Sequence, residues 1–517
     1  MRIFITAVAG TGMGSLAGLL KELGHEVAGS DVAFHPPMGP ALQEWGVELH
    51  QGFDPRHLNG NAFNGERPEV VVVGNVCRKD NVEALASARL GIERLHIADA
   101  LQRFALPGTS PLVVTGTHGK TTTSSLCAHL LQAAGLNPGF LIGGVPQSLG
   151  KSFSAPGKRK LATSGTRKGT RATPFVLEGD EYDTAFWEKT AKFLHYRADV
   201  AILTSIEHDH IDIYPTLEDY LSAFRKFVRT LPESGLLLAY AGDPQVVKIA
   251  KEASCEVAYY ALQGEETYGV APHWLAAPAE TSPEGTTFDL FAGGVLVGRF
   301  INPLSGSHNL RNATAALGAA AHGYGVPLAD LVQPLSSFQG VKRRQELLGS
   351  PREVAVYDDF AHHPTAVRET LSGLRAKHPR GKLIAIFEPR SATACRRLHQ
   401  EAYQSAFDSA THVIVAPVGR PELPEEEKLH VPALIHALNQ RKIGQKSLNA
   451  AYFTEIAAIV AHVTHLAEPG DTIAVLSNGP FGGIHEKLLE ALAVAPHAAT
   501  IEAAPSLNST TSGENLT

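Results

Sequence analysis

Leu112-Val113-Val114-Thr115-Gly116-Thr117-His118-Gly119-Lys120-Thr121-Thr122-Thr123 is the stretch whose reading decides the fold. Leu112–Thr115 is a run of aliphatic and β-branched residues that reads as a buried strand. A helix is expected from about Thr121 to Ala134, closed by Gly135. Between them lies Gly116-Thr117-His118-Gly119-Lys120, a tight variant of the phosphate loop, because Val114 stands where the usual first glycine would be. Each part serves one need of a bound triphosphate. Glycine lets backbone N–H groups approach phosphate closely, and the helix N-terminus carries roughly half a positive charge. Lys120 is placed to reach the β- and γ-phosphates, and the Thr121 hydroxyl to ligate magnesium. The competing reading is an ordinary strand–turn–helix with a stray lysine.

Two acidic clusters follow in the same unit. Phe175–Leu177 reads as a strand and runs into Glu178-Gly179-Asp180-Glu181-Tyr182-Asp183. Val200–Leu203 does likewise, leading to Ile206-Glu207-His208-Asp209-His210-Ile211-Asp212. In a parallel sheet, ligands bind beyond the carboxyl ends of the strands, so both clusters are expected on the rim that carries the phosphate loop. Carboxylate and imidazole there suit magnesium held between a nucleotide and a second substrate. Solvated loop acids are the alternative for any one of them. The Lys-, Arg-, Gly- and Ser-rich stretch 151–173 reads as a mobile, solvated loop.

Working outward, the first hundred residues repeat the strand–helix alternation. Arg2–Val8 reads as a strand, Gly10–Gly14 as a glycine turn, Ser15–Leu23 as a helix closed by Gly24, and Glu26–Ala28 as a strand ending at Gly29-Ser30-Asp31. Val70–Val73 is a further β-branched strand. Gly10-Thr11-Gly12-Met13-Gly14 resembles a dinucleotide fingerprint with Asp31 about 20 residues on, where an acid meets a ribose. Alone it supports a nicotinamide-dependent dehydrogenase, yet the same turn holds any nucleotide diphosphate. Pro107–Pro111 reads as a linker. A second boundary falls near Pro334–Leu348, after which strands at Val354–Tyr357, Leu383–Phe387, Val413–Val415 and Thr472–Leu476 alternate with helices. There His362-His363 follows Asp359; neighbouring side chains point apart, so a shared metal site is poor geometry, and Asp359 is assigned to adenosine or substrate.

The expected architecture is α/β in three domains: Rossmann-like at 1–107, a central phosphate-loop ATPase type at 108–340, Rossmann-like at 341–493, and a disordered tail at 494–517. Length supports it, since 517 residues at roughly 100–200 per domain gives about three. A net charge of −7 leaves no electrostatic footprint for nucleic acid or an anionic membrane. Cys77, Cys127, Cys255 and Cys395 are too far apart for a zinc motif or a disulfide framework, which fits a reducing cytoplasm. Met1–Ala7 reads as a short apolar run leading into glycines and not as a signal peptide, and no membrane-spanning stretch is expected.

Taken together, the motifs resemble the Mur ligase family of peptidoglycan synthesis. The phosphate loop Gly116–Thr123 is followed in family order by Glu178-Gly179-Asp180-Glu181, Asp209-His210-Ile211-Asp212, His308-Asn309-Leu310-Arg311-Asn312, Lys342-Arg343-Arg344 and Asp358-Asp359-Phe360-Ala361-His362-His363-Pro364. These cover nearly the whole chain. The resemblance implies that Gly116, Thr117, His118, Gly119, Lys120, Thr121 and Thr122 bind ATP, joined by Asn309, Asn312, Arg344 and Asp359. It implies Thr121, Glu178 and His210 as magnesium ligands, and Lys120, Glu178, His210 and Arg344 as catalytic groups. Gly10, Thr11, Gly12, Met13, Gly14, Ser30, Asp31 and Asn75 are implied to cradle a UDP-sugar, and Arg390, Ser477 and Asn478 to meet an acceptor peptide. Gly179 stands where the family more often has Ala. Phe224 occupies the position of a carbamylated lysine found in several members, with Lys226 nearby, so no carbamylated lysine is expected.

Within the family the likeness runs to members that join L-Ala-γ-D-Glu-meso-diaminopimelate to UDP-N-acetylmuramate in cell-wall recycling, carried by Gly74-Asn75, 181–186, 192–196, 388–391 and 477–485. The implied cofactors are ATP and Mg2+, and the implied partners UDP-N-acetylmuramate and a murein peptide, with no nucleic acid or membrane and a monomer or weak homo-oligomer. The implied chemistry is phosphorylation of a carboxylate by ATP, then attack of a neutral amine on the acyl phosphate, with domain closure first. A ligase that adds L-alanine alone is the nearest alternative. A dehydrogenase leaves Gly119-Lys120-Thr121 unexplained, and a non-catalytic nucleotide switch leaves His210 and the paired acids without a task.

Overall fold

A computed structural model describes residues 1–157, 171–282, 284–443 and 446–494. Three sheets organise them. The first orders its strands Glu48–Gln51, Glu26–Asp31, Arg2–Thr6, Val70–Val73 and Glu93–Leu95, all parallel. Four successive valines at 70–73 are buried, as expected for a parallel strand covered on both faces. Chain order reverses between Arg2–Thr6 and Val70–Val73. The carboxyl ends of those two strands therefore open a crevice; Gly10 and Asn75 stand beyond their ends, and Asp31 is the last residue of the strand beside Arg2–Thr6.

The second sheet has ten strands. Its parallel part runs Trp274–Ser282, Glu256–Leu262, Leu236–Tyr240, Val200–Leu203, Thr109–Thr115, Thr173–Gly179 and Gly139–Leu141. Thr109–Thr115, which leads to the phosphate loop, lies between the two strands that carry the acidic clusters. Antiparallel strands extend both edges: Gly285–Ala292 and Val295–Asn302 at one, Phe153–Ser154 at the other. The third sheet orders Glu346–Gly349, Ala355–Asp359, Thr472–Leu476, Leu383–Phe387, His412–Val415 and Asn449–Tyr452, parallel except at its first strand.

The first two sheets share one apolar core. Ile5, Leu16 and Leu20 belong to the same buried cluster as Phe153, Phe175, Phe193 and Phe224. The third sheet carries separate clusters, around Tyr403 and Phe407 on one face and Ile459 and Leu488 on the other. Its contacts with the central unit are polar at several points: Thr393 Oγ1 donates to Asp209 Oδ1 at 2.6 Å, Thr365 Oγ1 to Glu207 Oε1 at 3.1 Å, and Arg344 Nη2 to Thr121 Oγ1 at 3.2 Å. No described helix is long and apolar enough to cross a membrane.

Three expectations need correction or lie outside the described residues. The glycine turn at Gly10–Gly14 is mostly helix, since the helix spans Thr11–Glu22 and only extended Gly10 precedes it. Gly14 serves packing there, because a Cβ would collide with Met38 Sδ. The loop expected over 151–173 is ordered at its start: Phe153–Ser154 is a strand, and Phe153 lies under the first unit's helix with Trp45 edge-on at 4.7 Å. Thr173 likewise opens a strand, and Arg171 Nη2 donates to Ser234 O at 2.8 Å. Residues 158–170 and the tail at 495–517 lie outside the described residues.

Phe153 is the sharpest discriminator between a solvated loop and a packed edge. Truncating Phe153→Ala is expected to lower the unfolding free energy by about 3–5 kcal/mol in denaturant titration. A change within about 0.5 kcal/mol, the size of an ordinary surface substitution, would return this segment to a loop.

Candidate active site

The phosphate loop closes with Gly119 at φ 81°, a left-handed conformation that an L side chain rarely adopts, and a Cβ there would sit 2.5 Å from Asn312 Oδ1. Lys120 begins the helix Lys120–Ala133. Its Nζ folds back over the loop, donating to Gly116 O at 2.6 Å and Thr117 O at 3.3 Å, and meets Glu181 Oε2 at 2.9 Å. Thr117 Oγ1 donates to Glu207 O and accepts from Glu207 N, both at 2.9 Å, which ties the loop to the second acidic segment.

Glu178 and Thr121 come together as expected. Thr121 Oγ1 donates to Glu178 Oε1 at 2.9 Å, and Gly143 N to Glu178 Oε2 at 2.7 Å. His210 does not pair with Glu178. Its Nε2 lies 3.0 Å from Glu181 Oε1, on a backbone held at φ 54°. Glu181, absent from the expected site residues, is the hub of the cluster. It is fully buried between Lys120 and His210, and Tyr220 Oη donates to it at 3.3 Å. Burial opposes its ionisation, but the Lys120 ammonium and the His210 hydrogen bond prevail and hold its pKa down at about 2. Conversely, burial works against charge on His210 and Lys120, and the surrounding carboxylates, Glu181 foremost, raise both.

The third unit supplies two expected groups. Arg344 is half-buried, with its guanidinium 4.7 Å from the centre of the Phe360 ring and its Nη2 at Thr121 Oγ1. Asp359 is buried, and its carboxylate accepts Gln345 N and Ala361 N, both at 2.7 Å. In this arrangement the oxygens expected to meet a ribose serve the turn that positions Arg344. Asn309 and Asn312 bond each other at 3.2 Å under the loop. His118 and His363 both approach Glu207 Oε2, at 2.8 and 3.3 Å, so Glu207 links the phosphate loop to the third unit. Among the described residues this is one of two groupings of three potential metal ligands. Lys120, Thr121, Glu178, Glu207, His210, Asn309, Asn312, Arg344 and Asp359 line one cleft of about 630 Å³, with Glu181 behind it.

The N-terminal residues form a separate rim. Asp31 Oδ2 accepts Ala9 N at 2.8 Å and Oδ1 accepts Val32 N at 2.8 Å, so the acid shapes the turn before the helix Thr11–Glu22. Ser30 turns inward and donates to the fully buried Glu83 at 2.5 Å. Asn75 is exposed on the same rim. Of the acceptor residues, Ser477 is fully buried and its hydroxyl donates to Glu388, which removes it from the acceptor surface. Arg390 remains 44% exposed, with Nη1 3.6 Å from Glu388 Oε1. Asn478 Oδ1 is buried with no hydrogen-bond partner among the described residues. Phe224 is buried against Phe193 and Tyr220. Gly179 is tightly placed, since a Cβ would come within 2.8 Å of Val113 Cγ1.

Two groups, Glu181 and Glu207, were not singled out from the sequence, although both lie within the two acidic segments. The available signal is register. The strand Thr173–Gly179 ends at Gly179, so Glu178 still sits on the strand whereas Glu181 lies beyond its carboxyl end, where a side chain can turn onto the loop.

Models described as Mur ligase family catalytic domain, Mur ligase middle domain and Mur ligase glutamate ligase domain match residues 3–108, 114–320 and 343–479. The UDP-N-acetylmuramate–L-alanyl-gamma-D-glutamyl-meso-2,6-diaminoheptandioate ligase of Escherichia coli (strain K12) is 35% identical over 96% of this chain and 100% of its own length. A UDP-N-acetylmuramate–L-alanine ligase of Roseiflexus sp. (strain RS-1) is 32% identical over 95% of this chain and 99% of its own. Among solved structures, a murein peptide ligase from Psychrobacter arcticus 273-4 is 32% identical, with a TM-score of 0.66, covering 96% of this chain and 100% of that one.

The Glu181–His210 contact sets a pH dependence of known sign. The folded pKa of His210 is raised above 6.5, so its contribution to stability is full below that value and is lost as pH rises through the folded pKa. Glu181 is depressed, so its contribution is present above the ordinary carboxylate range and disappears as pH falls towards about 2. In Glu181→Gln, burial of His210 persists without the carboxylate. NMR titration should then place His210 below 6.5 instead of above it, and an unaltered His210 titration would break the assignment of this pair.

Proposed function

The chain belongs to the Mur ligase family, and from that premise we infer that it is an ATP-dependent ligase that joins L-Ala-γ-D-Glu-meso-diaminopimelate to UDP-N-acetylmuramate in peptidoglycan recycling. One observation carries the reading: Lys120, Thr121, Glu178 and His210 of the central unit and Arg344 and Asp359 of the third line a single cleft. The full-length match to relatives named for the tripeptide supports that acceptor over free L-alanine.

The roles follow from charge. Transfer of a phosphoryl group to a carboxylate brings two anions together, and the residues facing them must neutralise that repulsion. Lys120, at the helix N-terminus, takes the β- and γ-phosphates. Arg344 reaches the same loop from the opposite wall. The Thr121 hydroxyl and the Glu178 carboxylate, 2.9 Å apart, are an all-oxygen pair of the kind that suits Mg2+. Such an ion, when bound, supplies further charge neutralisation at the phosphates. Glu181 holds Lys120 and orients His210 through its contacts on both sides. Asn309 and Asn312 shape the loop from below.

Gly10, Asp31 and Asn75 border the crevice of the first sheet and are the proposed support for the UDP moiety, with Thr11, Gly12, Met13 and Gly14 supplying a helix N-terminus for its pyrophosphate. Ser30 acts from behind through Glu83. Arg390 and Asn478 are the proposed acceptor contacts, and Ser477 positions Glu388 beneath them. The acceptor's α-amine has a free pKa near about 8, so a substantial fraction is neutral at physiological pH and no strong protein base is required. The three domains expected over 1–107, 108–340 and 341–493 correspond in this proposal to UDP-sugar, ATP and acceptor.

Phosphate release by the purified chain should require ATP, Mg2+, UDP-N-acetylmuramate and an amine together, with the tripeptide preferred to L-Ala. Preference for free L-Ala would move the assignment to the alanine-adding branch. Lys120→Ala should lower kcat by at least about 10²–10³-fold, the usual cost of one transition-state charge donor. Near-normal turnover in that variant would remove the basis of the proposal.

A further inference from the structure

A second cluster of metal-ligating side chains lies away from the ATP cleft, where the first unit meets the central one. His96 and Asp99 belong to the first unit, at the start of the short helix Ile97–Ala100. Glu188 and His195 come from the central unit: Glu188 from the strand Glu188–Ala191, which pairs with Asp183–Ala185 in a hairpin, and His195 from the turn of helix that follows. His96 Nε2 lies 3.1 Å from Asp99 Oδ2 and 3.3 Å from Glu188 Oε2, and His195 Nε2 lies 3.3 Å from Glu188 Oε1. His96, Asp99 and His195 each place one ligand atom within 4.8 Å of the others.

We propose that His96, Asp99, Glu188 and His195 form a binding site for a divalent transition metal such as zinc, which clamps the first unit to the central unit. The spacing supports it. A tetrahedral ion holding nitrogen and oxygen donors at about 2.0–2.2 Å needs them roughly 3.4 Å apart; His96 meets Asp99 and Glu188 Oε2 close to that value, and His195 meets the other oxygen of Glu188 likewise while lying within 4.8 Å of His96 and Asp99. The donor set is two imidazoles and two carboxylates, so its charge balances a divalent ion while the imidazoles favour zinc over magnesium. The setting is suitable too. His96 is fully buried and His195 is 18% exposed, whereas both carboxylates are 36% exposed and give the ion a route from solvent. Trp187 covers one side, with its ring 6.4 Å from that of His96.

The site has supports behind its ligands. Thr190 Oγ1 donates to Glu188 Oε1 at 3.1 Å and lies 3.0 Å from His195 Nε2. Gln102 of the first unit donates to the His195 carbonyl, which fixes that turn against its partner unit. Loading changes the bonding of both imidazoles. His96 Nδ1 accepts Asp99 N at 3.1 Å, so its ring proton is on Nε2. Thr190 Oγ1 gives its proton to Glu188 Oε1, so His195 Nε2 is likewise the donor to Thr190. Ligation through Nε2 moves each proton to Nδ1; at His96 it gives up the cap of a helix only one turn long, and at His195 it gives up the bond to Thr190. The change of tautomer is itself a signature.

The test uses the full chain, stripped of metal and titrated with zinc by calorimetry, with cobalt as a spectroscopic probe of coordination. Wild type should bind one equivalent that is lost in both His96→Ala and His195→Ala. Asp99→Asn and Glu188→Gln, which keep shape and hydrogen bonding, should weaken that equivalent by more than about tenfold. Ring-nitrogen NMR of His96 should report the tautomer change on loading, a readout independent of folding and of activity. The proposal is overturned if wild type binds no zinc, or if the histidine variants bind it as wild type does. The second result would place the ion at another site such as His118, Glu207 and His363.

Discussion

The structure turns on a carboxylate with no access to water. Glu181 is buried completely and is kept ionised by Lys120 on one side and His210 on the other. A buried charge is costly alone, and removing one partner of such a pair typically costs about 3–5 kcal/mol because the other is left uncompensated. The three residues come from three separate segments: the helix start at Lys120, the turn after Thr173–Gly179, and the turn after Val200–Leu203. Holding one carboxylate between an ammonium and an imidazole therefore fixes three loops relative to one another. Those loops lie at the carboxyl ends of adjacent strands, so the sheet order brings them together before any ligand contact is considered.

This also explains why Lys120 is available to phosphate without being free. Its ammonium is satisfied by Gly116 O, Thr117 O and Glu181, all within 3.3 Å. A lysine restrained in this way loses little rotamer freedom on meeting a triphosphate, so more of the interaction is retained as binding. Glu207 performs a parallel task one strand away. It accepts hydrogen bonds from His118 of the loop and Thr365 of the third unit, with His363 close by, and against burial these, His118 first, hold its own pKa down at about 2.

Much of this was legible in the sequence, for physical reasons that differ by residue. Strand runs such as Val70–Val73, Val200–Leu203 and Thr472–Leu476 are short, apolar and buried on both faces, so pattern and burial agree. The phosphate loop is local: strand, turn and helix are contiguous, and their chemistry depends on neighbours in the chain. Pairing across segments is another matter. Glu178 and Glu181 are three residues apart and chemically alike, and nothing in the segment itself says which will face His210. That depends on where the strand Thr173–Gly179 stops and on the left-handed backbone at His210, both products of tertiary packing. Ser477 shows the same limit. A hydroxyl beside Asn478 at a strand end reads as a contact residue, yet its direction sends it into the core onto Glu388. Phe153 was hidden by composition, because one aromatic in a polar stretch gives no periodicity, and its value comes from the helix Thr11–Glu22 lying over it.

The two unit boundaries are built differently, and this bears on how firmly each is held. Between the first and second sheets the apolar cluster is continuous, and Phe153 packs against the first unit's helix. Sliding that boundary would expose aromatic surface worth about 25 cal/mol per Å². The third unit keeps its core to itself and meets the central unit through Thr393–Asp209, Thr365–Glu207 and Arg344–Thr121. Hydrogen bonds of this kind exchange for water at a net cost of only about 0.5–1.5 kcal/mol each. The third unit is thus the more weakly held of the two neighbours of the central unit. Arg344 stands at that boundary: its N–H donates to the carbonyl of Val341, which packs into the central core, and its guanidinium reaches Thr121 beside Lys120.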